Sequence, residues 1–204
     1  MRYFFEHCGV AVFAITGVLA AENKRVDLFG VIVLALVTAL GGGTMRDLIL
    51  RTDPFWLSDS SFLITATATA AVTFAAARRW EAPARLLLIL DACGLALFTM
   101  VGTEAALAFS ASKTSAVLLG VMTGVAGGIV RDILTGEVPL VFRTGTYLYA
   151  TAAFCGATFF VMLTALSFSR LTAESVAVAV TLGLRLAAIR WRLRLPEFKM
   201  QRKR

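Results

Sequence analysis

Histidine is nearly absent from this chain, with His7 its only copy. That scarcity excludes the chemistries that need imidazoles in pairs or beside a nucleophile. There is no second histidine at ligand spacing, no Ser/His/Asp set, and no carboxylate–histidine cluster of the kind that holds zinc. A phosphate-cradling glycine loop is also missing. The three cysteines, Cys8, Cys93 and Cys155, are odd in number and fall inside apolar runs, so they read as small packing residues and form neither a disulfide framework nor a metal site. Alternating ten-residue segments, the mark of a membrane barrel, do not occur. Nor is there a separate polar domain to carry nucleic-acid binding, although the net charge is +7. These absences argue against an enzyme, a cofactor and a tightly bound metal.

What the chain has in abundance is hydrocarbon. It is 58% hydrophobic over 204 residues, with a mean hydropathy of +0.80. A bilayer core about 30 Å thick takes roughly 20 helical residues to cross, and apolar runs of that order recur along the whole sequence. They predict an all-α membrane protein with seven transmembrane helices, over about 3–21, 26–45, 60–77, 86–108, 114–134, 145–168 and 172–190. Arg2 ahead of the first run gives it the look of a signal peptide, a reading rejected below.

Seven crossings put the termini on opposite sides, and the basic residues choose the orientation. With the C-terminus in the cytoplasm, fifteen of the twenty Lys and Arg residues fall inside. Only Arg2, Arg46, Arg51, Lys113 and Arg170 remain outside. The expected setting is a bacterial inner membrane, with the N-terminus periplasmic. Residues 192–204 form a basic cytoplasmic tail, which reads first as a stop-transfer flank. A second reading has it hold anionic lipid headgroups, at about 1 kcal/mol per basic residue.

The sequence also repeats itself at one fixed offset of 85. Cys8 meets Cys93, Gly9 meets Gly94, Phe13 meets Phe98 and Gly17 meets Gly102. Thr38 meets Thr123, Gly42–Gly43 meet Gly127–Gly128, Arg46–Asp47 meet Arg131–Asp132, and Pro54 meets Pro139. Glu6 meets Asp91, a conservative match. The first span therefore belongs to the fold and is not a cleaved leader. Residues 1–80 form one three-helix repeat and 86–168 a second, followed by a seventh helix at 172–191. Three is odd, so the second copy enters the membrane from the opposite side and the repeats are inverted. In such folds the site lies near the midplane, where interrupted helices of the two halves meet.

The second and fifth spans carry the pointer to that site. Glycine costs about 1 kcal/mol relative to alanine inside a helix, and Gly41, Gly42 and Gly43 are consecutive. These three, with Gly127 and Gly128, predict breaks whose freed carbonyls suit a cation; close helix packing is the other use for such glycines. Beside them stand the costliest residues for a bilayer, Arg46, Asp47, Arg131 and Asp132. Neighbours in sequence point in different directions on a helix, so each arginine is expected to pair across helices, Arg46 with Glu6 and Arg131 with Asp91. That leaves Asp47 and Asp132 to face an aqueous path. The alternative is that the charges snorkel to the headgroups. Hydroxyls at Thr16, Thr38, Thr44, Thr99 and Thr123 are candidates to line the path, though threonine in a membrane helix more often bonds its own backbone.

An acid–x–x–Gly…Phe–x–x–x–Gly span followed by Gly–Gly–x–x–Arg–Asp, present twice, resembles the bacterial branch of the trimeric intracellular cation channels. Each half is similar to a small membrane domain also known as glycine-transporter-like. The resemblance covers about residues 5–165 and implies a homotrimer conducting monovalent cations, chiefly potassium. It also implies an hourglass pore in each protomer, bounded by kinked second and fifth helices. By motif, that role falls on Gly41–Gly43 with Arg46 and Asp47, and on Gly127–Gly128 with Arg131 and Asp132. The second triplet reads Ala126–Gly127–Gly128 and is incomplete, implying a softer inner kink. Animal members carry a Lys–Glu–Val signature tied to phosphoinositides; here residues 136–139 read GEVP without that lysine, so the control is not carried over. Expected partners are therefore a second and third copy of the chain, lipid, and potassium or sodium ions, with no nucleic acid. A secondary transporter of a small amino acid such as glycine, and a protein whose glycines only pack helices, are the rival readings.

Overall fold

The computed structural model describes residues 2–22, 24–79, 83, 85–143 and 148–193. The basic tail from residue 194 and the first residues expected in the sixth span (145–147) lie outside them. Among the described residues there are eight helices and no strand: α1 (Arg2–Ala20), α2 (Leu28–Ile49), α3 (Phe55–Ser58), α4 (Ser61–Ala77), α5 (Leu86–Ala108), α6 (Lys113–Leu134), α7 (Tyr149–Ala165) and α8 (Arg170–Trp191). Five of them, α1, α2, α5, α6 and α8, are long and apolar enough to cross a membrane, while α4 and α7 are apolar but shorter, at 17 residues each.

The expected second span stops at residue 45, but α2 continues to Ile49, so Arg46 and Asp47 lie within its last turn. The one-turn helix α3 was not foreseen. It follows Pro54, which cannot continue a ladder from upstream. Side-chain oxygens cap the long helices where orphan N–H groups need acceptors. Gly30 N–H donates to Asp27 Oδ1 at 2.8 Å, and Ser115 N–H donates to Ser112 Oγ at 3.1 Å. Asp27 and Ser112 are themselves related by the offset of 85.

Neither α2 nor α6 is broken at its glycines. Both run as unbroken α-helix through Gly41–Gly43 and Gly127–Gly128, which overturns the expected interruption. The physical use of the missing side chains is close approach. A Cβ placed on Gly42 would overlap the carbonyl oxygen of Thr123, and one on Gly127 would overlap the carbonyl oxygen of Thr38. The two contacts exchange under the same offset, so α2 and α6 cross backbone to backbone. Gly41 is different: nothing stands within 4 Å of its Cβ position. Within each half the repeat gives one equivalent contact. A Cβ on Gly17 would stand 2.6 Å from Ala35 Cα, and one on Gly102 would stand 3.1 Å from Gly120 Cα.

The burial pattern is inverted relative to a water-soluble protein. Phe29, Ile64, Val72 and Phe142 are each more than 60% exposed, while Glu6, Arg46, Asp47, Asp91, Arg131, Asp132, Glu174 and Arg185 are buried. An apolar outer face over a charged interior suits hydrocarbon outside and polar partners within.

Candidate functional site: two buried charge clusters

The two Arg–Asp pairs each build a cluster at the end of a glycine-bearing helix. In the first, Arg46 Nε donates to Asp47 Oδ1 at 2.7 Å, and Arg46 Nη1 lies 3.6 Å from Glu6 Oε1 on α1. The Phe55 ring covers the guanidinium, 5.5 Å from its centroid. In the second, Arg131 Nε donates to Asp132 Oδ1 at 2.8 Å and Arg131 Nη1 to Asp91 Oδ1 on α5 at 3.0 Å. The arginines are 1% and 0% exposed, so they do not snorkel.

Direct pairing within each Arg–Asp dipeptide corrects the expectation that neighbours cannot meet. The long guanidinium arm reaches back around the helix to a carboxylate whose own position is fixed by the loop that follows. Phe55 N–H donates to Asp47 Oδ2 at 2.8 Å, and Leu140 N–H donates to Asp132 Oδ2 at 2.8 Å. Each donor is the residue after the repeat's proline, Pro54 or Pro139. The aspartates therefore latch a loop onto their helix and are 5% and 4% exposed. They do not face an open path, as the sequence had led us to expect, because the arginine and the loop amide occupy both oxygens.

Four of the expected hydroxyls bond backbone carbonyls of their own helices: Thr16 to Phe13, Thr38 to Leu34, Thr44 to Leu40 and Thr123 to Leu119, at 2.6–2.8 Å. Thr44 Oγ1 also accepts from Trp56 Nε1 at 2.9 Å, tying α3 to α2. Thr99 is buried on α5. Gly128 stands beside the second cluster, where a Cβ would meet the Tyr149 hydroxyl at 3.1 Å and Asp91 Oδ1 at 3.3 Å. Gly43 is its counterpart at the first cluster, beneath the Phe55 ring. Gly41 lines an apolar groove of about 710 Å³ with Leu36, Leu40, Thr44, Met45 and Trp56. That groove contains none of the charged residues.

Between the clusters sit two aromatic rings. Phe13 and Phe98 stack with centroids 5.3 Å apart and planes 8° from parallel, both almost wholly buried.

Sequence reasoning missed Arg185, which it counted only as a cytoplasmic charge. Arg185 is fully buried, with Nη2 4.0 Å from Asp91 Oδ2 and its guanidinium 4.6 Å from the Tyr149 ring centroid. Glu174 was missed too: fully buried, it accepts from Arg170 Nε at 2.8 Å, and Arg170 also pairs with Glu104. The signal was there in α8, where Glu174, Thr181 and Arg185 recur at helical spacing on the face that also buries Ala177 and Ala188. In a lipid-facing helix, a polar stripe points inward.

Comparison with known proteins places the chain in a family. The family model described as "Glycine transporter" matches the chain twice, over residues 3–78 and 88–165. The chain is 44% identical over 205 residues to a UPF0126 membrane protein of Vibrio cholerae, covering 98% of this chain and 84% of that one. It is 45% identical over 203 residues to the UPF0126 inner membrane protein YadS of Escherichia coli, covering 97% and 96%. Among solved structures, it resembles the TRIC trimeric intracellular cation channel orthologue from Rhodobacter sphaeroides with a TM-score of 0.89 and 38% identity, over 94% of this chain and 98% of that one. A second TRIC cation channel structure matches at a TM-score of 0.87 and 36% identity, over 98% of both chains. The chain is a membrane protein and belongs to the trimeric intracellular cation (TRIC) channel family, whose repeated half is the glycine-transporter domain.

Proposed function

We propose that the protein is a passive, potassium-permeable channel for monovalent cations. Each protomer of a homotrimer holds its own pore, bounded by α2 and α6. The likeness over nearly the whole chain to solved cation channels carries this reading. The charge arrangement supports it. A bare arginine in a path repels cations, but Arg46 is flanked by Glu6 and Asp47, and Arg131 by Asp91 and Asp132.

In the same reading the chain crosses a bacterial inner membrane seven times, as two inverted three-helix repeats and a final helix. The N-terminus is periplasmic and the C-terminus cytoplasmic. Pairings at the helix ends support this alternation. Tyr3 and His7, near the start of α1, bond Ser61 at the start of α4. Lys24, after α1, pairs with Glu137, after α6. Arg170, at the start of α8, pairs with Glu104 near the end of α5.

A secondary transporter of a small amino acid is the second reading, favoured by the description of the matching family. Purified protein in planar bilayers under a potassium chloride gradient separates the two. Unitary steps reversing near the potassium potential, indifferent to added glycine, support the channel. No steps, with saturable glycine uptake in matching liposomes, replace it with the transporter.

A further inference from the structure

We propose that His7 is a proton-binding site through which periplasmic acid lowers the cation current at the first charge cluster, an inference that rests on the channel reading and its topology. His7 is the chain's only histidine, the side chain whose charge ordinarily changes between pH 5 and 8. It follows Glu6 near the start of α1 and is partly exposed.

Hydrogen bonds fix the tautomer of the neutral ring. Nδ1 stands 3.0 Å from the Tyr3 carbonyl oxygen, which can only accept, so Nδ1 carries the hydrogen. Nε2 is then an acceptor. The Ser61 hydroxyl, 3.1 Å away, donates to Nε2 and accepts from the Tyr3 hydroxyl at 3.0 Å.

A proton taken from bulk water onto Nε2 reverses that chain. Nε2–H then donates to Ser61 Oγ, and the Ser61 hydrogen must turn to another acceptor. Asp59 supplies one. Its Oδ1 already accepts from the Ser61 N–H at 2.9 Å, and the Ser61 hydroxyl and N–H hold its carboxyl below the usual aspartate range. Asp59 is therefore ionised wherever a histidine titrates.

The ring also reaches the cover of the first cluster. Phe62 packs on His7 with centroids 4.1 Å apart, and Phe55 meets Phe62 at 4.8 Å. Phe55 is the ring over the Arg46 guanidinium, and its N–H donates to Asp47. Protonation thus adds a positive charge beside the rings that cap Arg46.

On the elements packed around His7, the charged and titratable groups are Tyr3 and Glu6 of α1, Asp59 ahead of α4, and Arg46 and Asp47 of α2. Those of α5 and α6, Asp91, Arg131 and Asp132, gather in the opposite cluster. There the offset of 85 puts Ala92 in the place of His7, so the response belongs to one side only.

Two readouts on the full-length protein test this. In detergent, ring-nitrogen NMR of the single histidine reports its protonation directly. It is expected to titrate between pH 5 and 8, starting from the Nδ1–H form. Asp59→Asn, which removes the carboxylate, should raise the proton concentration needed about threefold. In planar bilayers under a potassium chloride gradient, acid from one side only should cut the unitary current about threefold, the size of one charge acting over about 10 Å at a dielectric between those of protein and water. The current of His7→Gln should stay level between pH 8 and pH 5. Thermal unfolding reports whether each variant is folded, and His7→Phe, which keeps a ring against Phe62, replaces a His7→Gln that is not.

A titrating ring with a one-sided fall in current that needs His7 supports the proposal. A ring that keeps one protonation state from pH 5 to 8 overturns the site. A titrating ring with equal acid responses in wild type and His7→Gln overturns its hold on the current and leaves the channel standing. No current under any condition overturns the channel reading and that hold with it, while the ring's titration still decides the site.

Discussion

Arg185 on α8 and Asp91 on α5 approach to 4.0 Å in a site with no exposure to solvent, beside the Arg131–Asp91 pair. Asp91 thus lies between two guanidiniums, one from its own repeat and one from the helix that follows both matched segments. Replacing Arg185 by alanine should cost about 3 kcal/mol, as expected for removing one partner of a buried pair. Arg190, exposed on the same helix, should tolerate alanine within about 0.5 kcal/mol. Equilibrium unfolding in mixed micelles checks both, and equal costs would show that Arg185 does not hold the cluster.

A double-mutant cycle on Asp91 and Arg131 should give a coupling of about 1–3 kcal/mol. The cycle on Glu6 and Arg46 should give less, because that pair is 3.6 Å apart against 3.0 Å. Additive single effects in both cycles would remove the pairs as units of stability.

Alanine at Gly42 or Gly127 should destabilise by about 1–3 kcal/mol or more, the usual cost of overpacking, because backbone carbonyls occupy the Cβ position. Alanine at Gly41 should instead stabilise by about 0.5–1 kcal/mol, since its Cβ position is open and alanine favours the helix. A glycine needed to bend α2 would reverse that sign, so the Gly41 variant alone tells packing from bending.

Glu137 accepts a hydrogen bond from Lys24 at 2.6 Å, and that bond, with the charges of Lys24 and Arg143, holds its carboxyl below the usual glutamate range. A depressed folded-state value means the tether is fully present above the ordinary glutamate value of about 4.3 and disappears as pH falls through the lower one. Wild type should therefore melt above Glu137→Gln at neutral pH, and the two curves should converge in acid. Parallel melting curves across that window would show that the tether contributes nothing.

The offset of 85 and the apolar runs were enough to outline the helical bundle, because bilayer thickness sets run length and glycine, proline and cysteine mark a register. Which acids stand across from which arginines also followed from that register. Continuity of α2 through three glycines did not, since local propensity knows nothing of the Thr123 carbonyl that needs Gly42 bare. The Arg46–Asp47 contact escaped for a related reason. Cβ directions separate neighbours, but the loop bond from Phe55 holds the carboxylate where a long side chain can fold back to it. Arg185 was hidden by its proximity to a basic tail.

The dipeptide pairing bears on how the chain is made. An arginine or aspartate in a helix entering the bilayer is costly, up to about 2.5–3.5 kcal/mol each at the helix centre on insertion scales. In Arg46–Asp47 and Arg131–Asp132 the countercharge is the very next residue, so each can leave the translocon beside its arginine. The cross-helix acids are early as well: Glu6 and Asp91 are both translated before the arginines they meet. Neither Arg46 nor Arg131 need wait in lipid for a helix not yet synthesised.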